Sequence, residues 1–276
     1  MTRSSLIAPA LRYTALVLMA MVILVPLGTT VLNGFKTNAE VIANPVALPA
    51  VLMWENYGSI LGGSAFWTQM LNSTIVMAAT TFGTVALASM AAFVFSRIQF
   101  WGREYIYNFI LIGLLFPTTV AILPLYITLR QAGLLNSLLG VILPQIAFGL
   151  PTSILILRGF FAAVPVELEQ AATIDGCSRI RFFVGILLPL TRSALAAVAV
   201  LVMVGSWNAY FLPLLVLTES TRHTLPLGTA QFQSEFSTNW ALTLAYVSLS
   251  LVPALLFYLL AQRQMIDGLS KGAIKG

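Results

Sequence analysis

The chain holds six stretches of at least 23 residues with no Asp, Glu, Lys or Arg: 13–35, 56–96, 105–129, 131–157, 193–218 and 236–262. A helix needs about 20 apolar residues to cross a bilayer, so each stretch is long enough for one crossing. The whole sequence supports lipid as the solvent: 59% of its 276 residues are hydrophobic and 8% are charged, where soluble domains carry about 25% charged residues. The next charge-free run, 41–54, is shorter and contains Pro45 and Pro49. It reads as an interfacial segment outside the membrane. The expected fold is all-α: a polytopic bundle of six transmembrane helices forming a single transmembrane domain over 1–276.

The expected spans are about 12–34, 72–96, 105–129, 136–158, 183–214 and 240–262. The stretch from Tyr13 to Phe35 is too long for a signal-peptide apolar region and is followed by no small-x-small site, so it reads as a retained first span. The run 56–96 exceeds one span. Its Gly-, Ser-, Asn- and Gln-rich first part, Asn56–Asn72, reads as an extramembrane loop. Span five starts ahead of its charge-free run and includes Arg192, whose long side chain can snorkel to the headgroups.

Orientation follows from the basic residues. With the N-terminus inside, Arg3, Arg12, Arg97, Arg103, Arg158, Arg179, Arg181, Arg192, Arg263, Lys271 and Lys275 are cytoplasmic. Only Lys36, Arg130 and Arg222 lie outside. This positive-inside bias places both termini in the cytoplasm. It also explains the formal charge of +5 by location, without nucleic acid as a partner. Prolines 117, 124, 144, 151, 189, 213 and 253 fall in or at the ends of helices. They are either ordinary membrane-helix irregularity or hinges of a moving bundle.

Several chemistries are excluded. A lone cysteine, Cys177, permits neither an intrachain disulfide nor a thiolate metal cluster. The lone His223, between Arg222 and Thr224, reads as a solvated loop residue. No acidic residue lies deep in a span, where ion-coupled transporters keep an ionisable group. No G-x-x-x-x-G-K-[ST] loop is present to bind nucleotide. The chain therefore reads as non-catalytic, without metal or cofactor of its own, and driven by a partner. A transporter or channel working alone is the competing reading.

Residues 158–182 form the long charged break between spans four and five. Pro165 suits the first position of a helix. Glu167 and Glu169 lie in its first turn, at the positive end of the dipole. Asp175-Gly176 is a stop, with glycine able to take the left-handed cap. The expected helix has about three turns, roughly 16 Å, with Leu168, Ala171, Ala172 and Asp175 along one side. An acidic start and Ala-rich face fit docking to a protein better than lying on lipid, where surface helices are Lys-rich and bulky.

Here a resemblance becomes specific. Gln170-Ala171-Ala172, then Gly176, then Ile186-Leu187-Leu188-Pro189 fit the pattern E-A-A, three residues, G, nine residues, I-x-L-P. The segment resembles the signature loop of binding-protein-dependent ABC importer permeases, and the chain resembles their MalG-like carbohydrate family. Phe35-Lys36-Thr37 after span one, Asn72-Ser73, Phe93-Val94-Phe95-Ser96-Arg97, Trp207-Asn208, Pro213-Leu214 and the tail from Gly268 to Gly276 follow in family order. One departure is that Gln170 stands where the family has Glu, with Glu169 one position earlier.

The resemblance implies a MetI-like permease fold with a coupling helix in the cytoplasmic loop 159–182. The chain would be the membrane subunit of an ATP-driven importer of a sugar or related polyol in a prokaryotic inner membrane. Glu167, Glu169, Gln170, Ala171, Ala172, Asp175, Gly176 and Arg179 would couple it to a dimer of MalK-like ATPase subunits, which would hold the ATP and Mg. A MalF-like second permease and an extracytoplasmic solute-binding protein complete the implied set. The tail 263–276 either reaches the ATPase interface or frays. Asn72, Gln145, Trp207 and Asn208 are candidates for the substrate path, or else interhelical glue. A non-sugar solute such as glycerol phosphate is the alternative cargo.

Overall fold

The computed structural model describes the backbone of residues 4–115 and 117–273. Side chains are described from Arg12 to Phe257, except at 116 and 118, and at Leu259. Helices follow in the order α1 (Ser4–Gly34), α2 (Asn38–Ala43), α3 (Trp54–Gly62), α4 (Ser64–Arg97), α5 (Arg103–Ile112), α6 (Thr118–Gln131) and α7 (Leu139–Ala162). Then come α8 (Val166–Ile174), α9 (Arg179–Phe182), a π-helical turn (Phe183–Leu187), α10 (Leu188–Leu190), α11 (Arg192–Trp207), α12 (Phe211–Val216), α13 (Leu225–Gly228) and α14 (Trp240–Ala273).

Among the described residues, four helices are long and apolar enough to cross a membrane: Arg12–Gly34 within α1, α4, α7 and Trp240–Phe257 within α14. Counting each of two bent pairs as one span brings the total to six. The first pair joins α5 to α6 with a 105° bend at Pro117, and the second joins α9–α10 to α11 with a 78° bend.

The structure corrects several sequence boundaries. The second span does not begin at Asn72 after a loop, because α4 starts at Ser64 and runs 34 residues. The polar residues there lie on a buried helical face: Gln69, Asn72 and Ser73 are buried alongside Phe66. At 1.5 Å per residue α4 is roughly 50 Å long, so its first turns project beyond a hydrocarbon core of about 30 Å. Span five is not one rod over 183–214. Pro189 contributes no backbone N–H, and the chain above it loosens into the π-helical turn. Thr191 closes the break by donating its hydroxyl to the Leu187 carbonyl at 2.7 Å. The last helix does not stop at 262 but continues to Ala273. The proposed tail's side chains, and residues 274–276, lie outside the described residues.

Backbone contacts divide the chain into two units. One comprises the residues up to Trp67 together with Gly228–Val252. In it, every side chain from Arg12 to Pro26 of α1 is exposed, as suits a helix surrounded by lipid. Beyond α1, Phe35 meets the rings of Trp54 and Tyr57 at 4.8 and 4.4 Å. Asn56 donates to the Gly34 and Lys36 carbonyls at 2.9 Å. The Lys36 ammonium is buried and donates to the Asn44 and Pro45 carbonyls at 3.1 and 3.4 Å.

The other unit, Thr68–Leu227 with the chain from Pro253 onward, carries the charged segment. One core gathers Ala88, Ala92 and Phe95 of α4, Leu157 and Phe161 of α7, Phe182, and Ala194 and Val198 of α11. A second core joins Val76, Leu129, Val141 and Val216. Close approach at Gly140 is obligatory: a Cβ there would overlap the Leu134 carbonyl and meet Val216 Cγ1 at 2.9 Å.

Candidate functional site

The charged segment forms a short helix with its own built-in ends. Pro165 is the N-cap residue (φ −55°, ψ 136°), not the first helical residue as expected, because its own ψ lies far from the helical value. The helix α8 has nine residues, roughly 14 Å, so it is shorter than anticipated. At the other end Gly176 takes φ +74°. Its N–H donates to the Thr173 carbonyl at 3.0 Å, and the Cys177 N–H donates to the Ala172 carbonyl at 2.8 Å. This pair of bonds, with Ala172 and Cys177 sharing the same apolar cluster, is a Schellman stop. Asp175 serves as the exposed C-cap residue.

Which side faces out differs from the sequence expectation. Ala172 is buried, packed in the cluster with Phe161 and Phe182, and is not on the free face. Glu167, Leu168, Gln170, Ala171 and Ile174 are exposed, Ile174 by 86%. The reason is the turn at Gly176: it brings α9 back beneath α8, so the small Ala172 becomes the contact point. Arg179 and Arg181 stay exposed on α9, which is capped by the Ser178 hydroxyl accepting from the Arg181 N–H at 3.3 Å.

Glu169 points inward. Its carboxylate lies 3.6 Å from Nη1 of Arg97, at the end of α4. The Arg97 Nη2 donates to the carbonyls of Phe161 and Val164 at 2.6 and 2.5 Å. Those carbonyls end α7, where unpaired acceptors and the negative end of the dipole favour a cation. In sequence Arg97 counted only as one of eleven inside cations and as part of a family motif. Its place directly after a long apolar helix was the available signal.

A second arginine braces the same end of the bundle. Arg158 donates Nε to the Phe95 carbonyl at 3.2 Å and Nη2 to Glu104 Oε1 at 2.6 Å. It also lies 3.8 Å above the Tyr107 ring. The bond from Arg158 holds the Glu104 carboxyl below its ordinary pKa, with Arg103 adding to the effect.

The four path candidates do not converge. Of the four, Gln145 alone lines a cavity of about 430 Å³ formed by α4, α6, α7, α11 and α12. Its Oε1 accepts from Ser206 Oγ at 2.6 Å and Thr80 Oγ1 at 3.2 Å, and its buried Nε2 has no hydrogen-bond partner among the described residues. Trp207 and Asn208 line a separate space of about 60 Å³. Trp207 is buried edge-on to Phe257, with ring centroids 5.6 Å apart, and Asn208 bonds back to the Val204 carbonyl of its own helix. Asn72 donates at 3.0 Å to the carbonyls of both Thr221 and His223, so it anchors a loop. Thr80 and Ser206, which the sequence did not single out, belong with Gln145. Pairing a residue on α4 with residues on α7 and α11 required the fold.

Comparisons with known proteins agree with this architecture. A family profile described as "Binding-protein-dependent transport system inner membrane component" matches residues 84–265. The diacetylchitobiose uptake system permease protein NgcG of Streptomyces coelicolor is 33% identical over 96% of this chain and 89% of its own length. The trehalose/maltose transport system permease protein MalG of Thermococcus litoralis is 32% identical over 94% of both. A chain from the crystal structure of a bacterial ABC transporter involved in the import of the acidic polysaccharide alginate superposes with a TM-score of 0.82. It covers 95% of this chain and 98% of its own length at 21% identity, which speaks for the fold. Taken with the spans and the short charged helix, these matches show that the chain belongs to the binding-protein-dependent inner-membrane components, the permease chains of ABC transporters.

Proposed function

We propose that this chain is one of two permease subunits of an ATP-driven importer for a neutral sugar or short sugar oligomer. In this reading both termini are cytoplasmic, and α8 rests in a cleft of an ABC ATPase subunit, one of a MalK-like dimer that supplies ATP and Mg. A MalF-like second permease shares the membrane domain, and a solute-binding protein delivers cargo from outside. The observation that carries the reading is the free face of α8. Gln170, Ala171 and Ile174 stand exposed on a helix whose opposite face is fixed to the bundle. Apolar residues exposed at the charged end of a membrane protein have no lipid to cover them there, which fits a protein partner. Gln170 presents an amide to that partner, while the neighbouring charge of Glu169 is taken up internally by Arg97.

The cargo class rests on relatives and on the cavity. Relatives named for diacetylchitobiose and for trehalose/maltose align with nearly the whole chain. The cavity offers Gln145, Thr80 and Ser206 for hydroxyl groups and Phe148 and Phe211 for sugar C–H faces, and none of the described residues that line it is charged. A glycerol phosphate would meet no counter-charge there, so neutral cargo is favoured. The test is uptake into proteoliposomes holding this chain, its second permease and its ATPase, with the binding protein outside. ATP-dependent, vanadate-sensitive uptake of a neutral oligosaccharide is expected. Uptake by this chain without the ATPase, or of anionic solutes only, overturns the reading.

A further inference from the structure

We infer that Arg97 is the positioning residue that binds the coupling helix to the membrane bundle, so that a push on α8 moves α4 and α7 together. The inference rests on the reading of α8 as the ATPase contact and adds the path that leads away from it. Three elements meet on one guanidinium. Arg97 is the last residue of α4. Its Nη2 joins the Phe161 and Val164 carbonyls, which lie at and just past the end of α7. Its Nη1 faces Glu169 in the first turn of α8. Only 6% of the Arg97 side chain is exposed, so these contacts are largely shielded from water and salt. The bonds to the two carbonyls are short, while the ion pair at 3.6 Å is loose. The guanidinium is therefore anchored to α7, with Glu169 as the adjustable contact.

The chemistry requires arginine. A planar fork can give one nitrogen to carbonyls and present another to a carboxylate, whereas a lysine ammonium is a single point of charge. Without this joint, α8 is tied to the bundle by the three-residue link before it, the turn through Gly176 and the small Ala172 contact. A push on α8 would then be absorbed by local rocking. The inward Glu169 also accounts for the departure at position 170. With a carboxylate already spent on Arg97, the exposed neighbour can be neutral.

The experiment uses the full importer complex in proteoliposomes and measures solute imported per ATP hydrolysed. Arg97→Lys and Glu169→Gln are the conservative variants. Each is expected to assemble and hydrolyse ATP but to lower that ratio, by roughly tenfold for Arg97→Lys, the scale of losing one charge-assisted bond, and by less for Glu169→Gln. A purely structural role would reduce the amount of assembled complex and leave the ratio of the surviving complexes at the unmodified value. That result, or an unchanged ratio in both variants with normal assembly, overturns the inference. Ala171→Arg, on the exposed face, serves as the separate control. If it leaves ATPase capture intact, the ATPase-contact reading fails, whatever the Arg97 variants do.

Discussion

Replacing Gly176 by alanine isolates one physical quantity. The residue sits at φ +74°, and a Cβ built on it meets no atom within 4 Å. No contact is lost and no clash is made, so the whole effect is the cost of holding an L-residue in the left-handed region, about 1–2 kcal/mol. That energy shifts the opening equilibrium of the stop by roughly 5–30-fold. The exposed consequence is at two amides, those of Gly176 and Cys177, whose bonds to Thr173 and Ala172 close the helix. Hydrogen exchange of the peptide spanning 166–177 in the assembled complex should accelerate by that factor, with α4 and α7 unaffected. Gly176→Asn should be milder, because asparagine tolerates this conformation. Gly176→Pro should be worse, because its ring fixes φ near −65° and removes the amide that bonds Thr173. Unchanged exchange in the alanine variant, or equal losses with asparagine and proline, refutes the reasoning.

Three further outcomes are expected. Ala172→Leu should destabilise the complex by about 1–3 kcal/mol through overpacking against Phe161 and Phe182, seen as a lower melting temperature, while Ala171→Arg should leave melting unchanged and weaken ATPase capture in a pull-down. Asn72→Ala should open the 218–225 loop to protease, since two carbonyls lose their donor, whereas Gln145→Leu should slow uptake with the loop still protected. Acid should loosen the brace between Glu104 and Arg158. A carboxyl held below its ordinary value of 4.5 contributes stability that is present above that value and lost as pH falls through the depressed one. Glu104→Gln should flatten that acid limb of a thermal-stability profile, and an unaltered limb counts against the brace.

Much of the architecture was legible without coordinates because lipid is an unforgiving solvent. Six charge-free runs, each long enough to cross, leave few alternatives to a helical bundle, since every backbone group in the membrane must be satisfied within its own segment. The charged break was equally legible: proline, acidic first turn and glycine stop are local signals, and the structure shows each acting within about one residue of its expected position. The boundary at Asn72 failed for an equally physical reason. Gln69, Asn72 and Ser73 resemble loop residues by composition, but a membrane helix can bury polar side chains against its neighbours.

What the sequence alone determined, then, is how many times the chain can cross and where a helix must start and stop on either side of 166–174. Tertiary structure decided which way that helix faces. Rotating α8 turns Ala172 inward and Ile174 outward without changing a single local propensity, and the choice depends on Phe182 and Phe161 closing beneath it. It also decided that Arg97, the last residue of α4, faces the first turn of α8. Residues 97, 161, 164 and 169 lie up to 72 positions apart, and only the packing of α4 against α7 brings a guanidinium to those carbonyls.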